Sequence, residues 1–526
     1  MSTQNNSPYT IASDLEAKNI PFAWVTIAAT TGTVTRTSGR MLVTKDGTSY
    51  GTIGGGEIEF RAKQNALACL QRGKGGLFRL KRTNENNDAI SSMTISIDIG
   101  EKGHCLLIIG GGHVAQETAR IAQGAGFETK VIETRKEFAS TELFPTASQI
   151  ILQGTVKKAL SEIPIDEDTA IVVLNHALMR SKDYKALLET PAPYIGIMAS
   201  HKHMHRILGD VPLNREEMVR IHCPIGVDIG GQMPYQVGLS LVSEILAFFE
   251  GRPAIRKGIA YRPIIVRGAG DLATSVILML HNAGHRVIAL DIEKPTVIRR
   301  TVAFGEAMYE GTIEVEGVKG VLTAKEDLEK ITALLDEGIV PLVVDPDATL
   351  IQKLHPYIVV DAILAKVNIG TKKDDAPLVL ALGPGFTAGI DCDAVIETMR
   401  GHDLGRVLTE GQTQPNTGTP GVIGGYGKER VIKSPAEGIF SSNHKIGDLV
   451  EKGDIIAGVD GVPVQTVISG KLRGLLHSGL PVTVGFKVAD VDPRGASVDH
   501  LHCSDKGRTI GGGVLQAVEK FLREMK

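Results

Sequence analysis

The feature that most constrains this chain is a strand–glycine–helix junction that occurs twice. A short apolar run, Cys105 to Ile109, meets Gly110-x-Gly112-x-x-Ala115 and passes into a helical stretch. Pro263 to Val266 meets Gly268-x-Gly270-x-x-Ala273 in the same way. One offset relates the two copies throughout, so that Gly126 matches Gly284 and Glu133 matches Asp291. The glycines permit a tight turn and a close backbone approach to phosphate. The helix N-terminus that follows adds unpaired N–H groups and a partial positive charge. An acid ending the next strand stands where a ribose hydroxyl would be held. Gly110, Gly112, His113, Ala115 and Glu133 are therefore candidate ligand residues, as are Gly268, Gly270, Asp271 and Asp291.

Strands alternating with helices imply βαβ units, and hence parallel sheets. The expected fold class is α/β: two Rossmann-like parallel-sheet domains, a small N-terminal α/β domain and a C-terminal β-rich barrel-sandwich (lipoyl-like) domain. A chain of 526 residues is too long for one core and suggests about three to five domains. The expected divisions are 1–101, 102–252, 260–430, 431–495 and a helical tail at 496–526. In the first, Phe22–Ala28, Gly39–Thr44 and Met93–Ile99 read as strands, Glu57–Leu70 as a helix, and Lys81–Asn87 as a polar loop. The β-rich block has Gly458-Val459-Asp460-Gly461-Val462-Pro463 where a biotinyl or lipoyl carrier would place its lysine, so no swinging arm is expected.

Other glycine-rich segments are candidate sites too. Gly54-Gly55-Gly56-Glu57 precedes a helix, and three glycines there could present backbone donors to an anion, with Arg36 as a phosphate clamp. Residues 383–427 hold 11 glycines and three prolines, which excludes a regular helix or central strand. Gly383 and Gly385 could cradle an anion by backbone amides, with Arg400, His402 and Asp403 supplying charge or proton transfer. His201 and His205 would share a helical face, but no nearby carboxylate or thiol completes a metal shell, so no metal site is expected.

The formal net charge of −3 provides no basic footprint for nucleic acid. Neither a signal peptide nor an apolar run of spanning length is present in the sequence, so a cytoplasmic protein without membrane contact is expected. Five scattered cysteines without a CxxC pair read as reduced and structural.

With these residues in place, the chain resembles the YqeB family of the selenium-dependent molybdenum hydroxylase system. Its first half is similar to the XdhC/CoxI maturation factors in GTIGGGEIE, GGGHVAQ, Asn175-His176 with Asp183, YIGIMAS, and PIGVDIGG before Pro234. The second half carries VRGAGDLATSV, EKPTVIRRTVAFGEA, VDAILAKVNIGT, LGPGFTAG, IETMRGHDLGRV and NTGTPG. The resemblance implies an accessory factor that binds molybdenum cofactor (molybdopterin or its nucleotide form), assists its modification with sulfur or selenium, and hands it to a hydroxylase apoprotein. It implies a phosphorylated small-molecule ligand, a xanthine-dehydrogenase-like partner and, as one possible assembly, a homodimer. An NAD(P)-dependent oxidoreductase using the Rossmann loops is the alternative. The chain departs from the XdhC pattern in two places. Glu57 follows the triple glycine where relatives place a cysteine in the loop, and Ser91-Ser92-Met93 enters a strand without Cys-Gly-Gly.

Overall fold

The computed structural model describes residues 7–17, 20–32, 36–83, 89–100, 103–199, 213–252, 262–418 and 421–524. They form two compact units, one of residues 1–105 with 126–128, the other of 106–125 with 129–526.

In the first unit, five antiparallel strands order as Ser49–Thr52, Arg40–Thr44, Phe22–Gly32, Ala89–Gly100, Gly76–Thr83. The helix Gly56–Arg72 covers one face, burying Ala62, Ala66 and Cys69 against Val25, Met41, Ile95 and Ile97. Alternation drives this packing, since a strand presents every second side chain to the helix. One expectation needs correcting: Lys81 belongs to the strand Gly76–Thr83, not to a loop. This edge strand carries charge on its open face, as edge strands do to avoid further pairing, and so imitates a loop in composition.

The second unit begins with a six-stranded sheet ordered Ile221–His222, Tyr194–Ile197, Thr169–Val173, Cys105–Ile109, Glu128–Glu133, Gln149–Leu152. Its outer pairings are parallel. Cys105–Ile109 and Thr169–Val173 are buried on both faces and read as near-continuous apolar runs, as central parallel strands do. A nine-stranded sheet follows, its centre ordered Val318–Thr323, Val340–Val344, Val287–Asp291, Ile264–Arg267, Ile358–Asp361, Leu378–Leu382, Ala394–Ile396. Those seven are mutually parallel, with an antiparallel strand at each edge. Ile264 and Val266 face one core, which the helices Asp271–Asn282 and Asp505–Glu524 cover. Ile265 faces the other, beneath Leu328–Asp336 and Leu350–Leu354.

Residues 431–492 form two four-stranded sheets around a shared core that includes Ile432, Phe440, Val459, Leu472 and Val488. The Ile455–Val459 and Val462–Gln465 strands join through Asp460-Gly461, with φ of 43° and 88°. Positive φ at both central residues marks the two-residue hairpin turn that Asp-Gly favours. The last helix, Asp505–Glu524, lies within the 496–526 tail and includes Gly511, Gly512 and Gly513. Its glycine face is what lets it lie against Asp271–Asn282: a Cβ at Gly511 would sit 2.9 Å from the Ser275 carbonyl oxygen. Among the described residues no helix is long and apolar enough to cross a membrane.

Candidate functional site

Both Rossmann junctions are built to one plan. Each first glycine has positive φ, 116° at Gly110 and 102° at Gly268, which an L side chain rarely adopts. Each also presses on the strand across the point where strand order reverses. A Cβ at Gly110 would lie 2.9 Å from Asn175 Cβ, and one at Gly268 would lie 2.9 Å from the Ala362 oxygen. Ala115 and Ala273 are buried, fitting helix to sheet. Gly112 and Gly270 cap the two helices with no side-chain hydrogen bond and open space around them. His113 and Asp271 are the first residues of those helices.

The two acids hold their own loops. Gly111 N–H donates to Glu133 Oε2 at 2.7 Å, and Ala269 N–H to Asp291 Oδ2 at 2.7 Å. Glu133 also accepts from Thr134 N at 2.7 Å, and from Arg135 N, Nε and Nη2 at 3.1, 3.1 and 2.8 Å. Burial raises its pKa, but those bonds, led by Arg135, outweigh burial and hold the carboxyl below its usual range. Asp291 has fewer donors, so burial prevails and its pKa rises. In each loop one backbone amide, that of Gly111 or Ala269, is thus engaged by the loop's own acid.

The N-terminal glycine loop is likewise self-satisfied. Glu59, not Glu57, reaches back to Ile53 N–H and Gly55 N–H, both at 3.0 Å, and takes the Thr52 hydroxyl. Burial opposes these bonds, yet the net effect lowers the Glu59 pKa. Glu57 is exposed and 3.7 Å from Arg61; Arg36 is exposed. Gly54, Gly55 and Gly56 shape a turn in which Gly55 N–H serves Glu59 while Gly54 N–H donates to Thr52 Oγ1 at 3.1 Å. His201–His205 lie outside the described residues.

A cavity of about 450 Å³ opens instead at the C-terminal ends of the nine-stranded sheet. Asp271, Leu364, Lys366, Pro384 and Thr398 follow four successive parallel strands into its wall. This is the place where open α/β sheets receive ligands. Gly383 and Gly385 position that wall: a Cβ at either would lie 2.7 Å from Thr398 Oγ1 or Val367 N respectively. The β-rich block closes the cavity with Arg430, Arg473, Lys487 and Asp490, and the last helix adds Lys506. Seven lining side chains are cationic and two acidic, so the cavity carries strong positive potential.

Three guanidiniums dominate. Arg299 is 8% exposed and Arg430 5%. Arg299 Nη1 lies 3.3 Å from Asp271, while Arg430 Nη2 and Arg473 Nη2 share Asp490 at 3.0 and 3.3 Å. The Nε–H of all three finds no acceptor among the described residues. An unpaired buried donor costs about 1–3 kcal/mol; what suits the cavity to an anion is the excess of cationic side chains along its wall. Burial, reinforced by Arg299, lowers the Arg473 pKa, and burial followed by Arg400 lowers that of Lys506.

From the sequence candidates, Asp271 lines this cavity, Gly270 adjoins it, and Gly383 and Gly385 shape it. Arg400 lines it while held bidentately by Asp505 at 2.7 and 2.9 Å; Asp403 pairs with Arg406 instead. Arg299, Arg430, Arg473, Lys366, Lys487 and Lys506 are not among the sequence candidates.

The architecture is that of an XdhC-type Rossmann domain followed by a second, larger domain of the same plan. A model of the XdhC Rossmann domain matches residues 106–245, and one of the XdhC and CoxI family matches 15–81. The Escherichia coli K12 protein called "Uncharacterized protein YqeB" is 40% identical over 98% of this chain and 97% of its own. The chain belongs to the YqeB family. A Bacillus subtilis protein, named as a probable xanthine dehydrogenase subunit, is 27% identical over 27% of this chain and 42% of its own length. A solved structure described as a xanthine dehydrogenase from Bacillus halodurans aligns with 47% of this chain and 97% of its own, at 17% identity and a TM-score of 0.28.

Proposed function

We propose that this protein is an accessory factor for a molybdenum hydroxylase, in the selenium-dependent system. In this reading it holds molybdenum cofactor, as molybdopterin or its nucleotide form, in the cationic cavity and passes it to a xanthine-dehydrogenase-like apoenzyme. The observation that carries the reading is the excess of cations, seven against two acids, lining one cavity, with Arg299 and Arg430 themselves buried. The XdhC-type domains and the name of the Bacillus subtilis relative support the choice of client. The residues suit a phosphorylated pterin: Arg299, Arg430 and Arg473 would take phosphate, and Gln414 and Asn416 offer amides to a heterocycle. The bound cofactor brings the molybdenum chemistry; the chain's own residues bind, orient and release it. All five cysteines are buried, so in this reading the chain carries cofactor without forming a thiol-linked sulfur or selenium intermediate.

Mass spectrometry of ligands released from protein purified in a molybdopterin-producing host tests this reading. A phosphorylated pterin, lost from Arg430→Met, is the expected result. Recovery of protein that neither retains nor takes up such a pterin, together with full hydroxylase activity in its absence, would refute it.

A further inference from the structure

We infer that Glu306, Glu310 and His477 form a binding site for a divalent transition-metal cation of the zinc class. None of the three lines the cationic cavity, and the site does not depend on what that cavity holds. One imidazole nitrogen and one oxygen from each carboxylate lie within 4.8 Å of one another. Glu306 ends the 3₁₀ turn Phe304–Glu306, and Glu310 ends the helical turn Ala307–Glu310 that continues it, which brings the two carboxylates to one side. His477 arrives from the β-rich block, just beyond the strand Gly470–Leu475. That strand end is fastened beside the acids. Leu475 N–H donates to the Ile298 carbonyl at 2.7 Å, and Arg300 Nε donates to the Leu475 carbonyl at 2.8 Å.

The chemistry of the three groups calls for a cation rather than a hydrogen bond. His477 Nδ1 lies 2.9 Å from the Ser478 carbonyl oxygen, which can only accept, so Nδ1 carries the hydrogen. In the neutral ring Nε2 then bears a lone pair, and it faces Glu310 Oε1 at 4.0 Å, one acceptor opposite another. That separation is too long for a hydrogen bond but spans two metal–ligand bonds of about 2.0–2.2 Å. Glu306 is held by one oxygen only. Arg300 Nη1 donates to its Oε1 at 2.5 Å, while Oε2 is buried with no hydrogen-bond partner among the described residues. The Glu306 side chain is 13% exposed and fixed, whereas that of Glu310 is 65% exposed and able to swing the remaining distance onto a cation. A histidine that binds metal through one nitrogen usually donates its other N–H to a carbonyl or carboxylate, as His477 does. Tyr309 steadies the ring, stacked on it at 4.0 Å between centroids and 9°, with its hydroxyl donating to the Pro295 carbonyl at 2.8 Å. One imidazole with two carboxylates suits zinc and leaves a fourth position for water. The ion pins the β-rich block, including Arg473 of the same strand, to the segment that carries Arg299.

Titration of the metal-stripped full chain with Zn²⁺, in competition with a chromophoric chelator, is the test. His477→Gln and Glu306→Gln should each abolish one equivalent of Zn²⁺ binding or weaken it at least about tenfold, with circular dichroism checking that the fold is kept. Glu310→Gln, an exposed change that the fold tolerates, should weaken the same equivalent at least about tenfold. Zn²⁺ should also slow hydrogen exchange in wild-type peptides covering 304–310 and 470–482, and leave those of His477→Gln unchanged. A wild type that binds no Zn²⁺, or one whose Zn²⁺ stoichiometry and affinity are shared by all three variants, overturns the site. Neither result bears on the anion cavity.

Discussion

Two adjacent glycines in the Asp505–Glu524 helix should respond in opposite directions to the same substitution. Gly512 has nothing within 4 Å of where a Cβ would stand. Alanine there gains only helix propensity, so Gly512→Ala should stabilise the helix by about 0.5–1 kcal/mol. At Gly513 the new methyl would land on the carbonyl of Gly405 and come within 3.3 Å of Ile396 Cγ2. Gly405 cannot easily retreat, since its N–H donates to the Glu397 carbonyl at 2.8 Å and its φ is 79°. Overpacking of this kind costs about 1–3 kcal/mol, which outweighs the propensity gain. Gly513→Ala should therefore be less stable than Gly512→Ala by about 1–3 kcal/mol. Hydrogen exchange of peptides from 505–524 reads this locally, without assuming that a multidomain chain unfolds in one step. Exchange should slow in the first variant and quicken in the second. Equal protection in both would refute the close-approach explanation for this glycine face.

Further outcomes follow from the other sites. Glu59→Gln should destabilise the N-terminal unit by about 1 kcal/mol near neutral pH, because an amide serves three donors less well. The folded pKa of Glu59 lies below its unfolded 4.5, so its contribution is full above that value and fades as pH falls through the folded one. The gap between wild type and variant should narrow as pH falls below 4.5, and a gap as large at pH 3 as near neutrality would contradict this. Burial pushes Cys223 and Cys392 up to about 12 and Cys503 to about 11. These thiols should stay unlabelled by a disulfide reagent at pH 8 until denaturant is added; rapid native labelling would count against their burial. Gly270 has φ −67° and open surroundings, so Gly270→Asp should preserve or slightly raise stability while the added carboxylate weakens binding of a phosphorylated pterin about tenfold. Unchanged titration would remove this junction from the site.

The Rossmann junctions are legible because their signals are local: apolar run, glycines, helix and acid lie within one βαβ unit. Legibility extends to the repeat, and the paired Gly111–Glu133 and Ala269–Asp291 bonds are its structural counterpart. What the acids do is not legible, since a carboxylate placed for a ribose is equally placed for its own loop. Glu57 hides Glu59 because reach around a helical turn, not adjacency to glycine, decides which acid caps the loop. In the 505–524 helix three glycines oppose helix formation on their own, and the surfaces close to Gly511 and Gly513 explain those two, a reason not legible in the sequence. The cationic wall has no sequence signature. Arg299, Arg430, Arg473 and Lys506 each look like an ordinary charge, and only the fold brings them to one cavity.

A wall assembled from such distant segments has a bearing on how the molecule matures. The sheet around Ile264–Arg267 and the hairpins of 431–492 can each gather their own local contacts, but Asp271, Arg473 and Lys506 become neighbours only after all three pieces have docked. Occupancy thus selects finished copies over partly folded ones. A ligand at a hundred times its Kd would hold the pieces together by about 2.7 kcal/mol, acting as a strut between them.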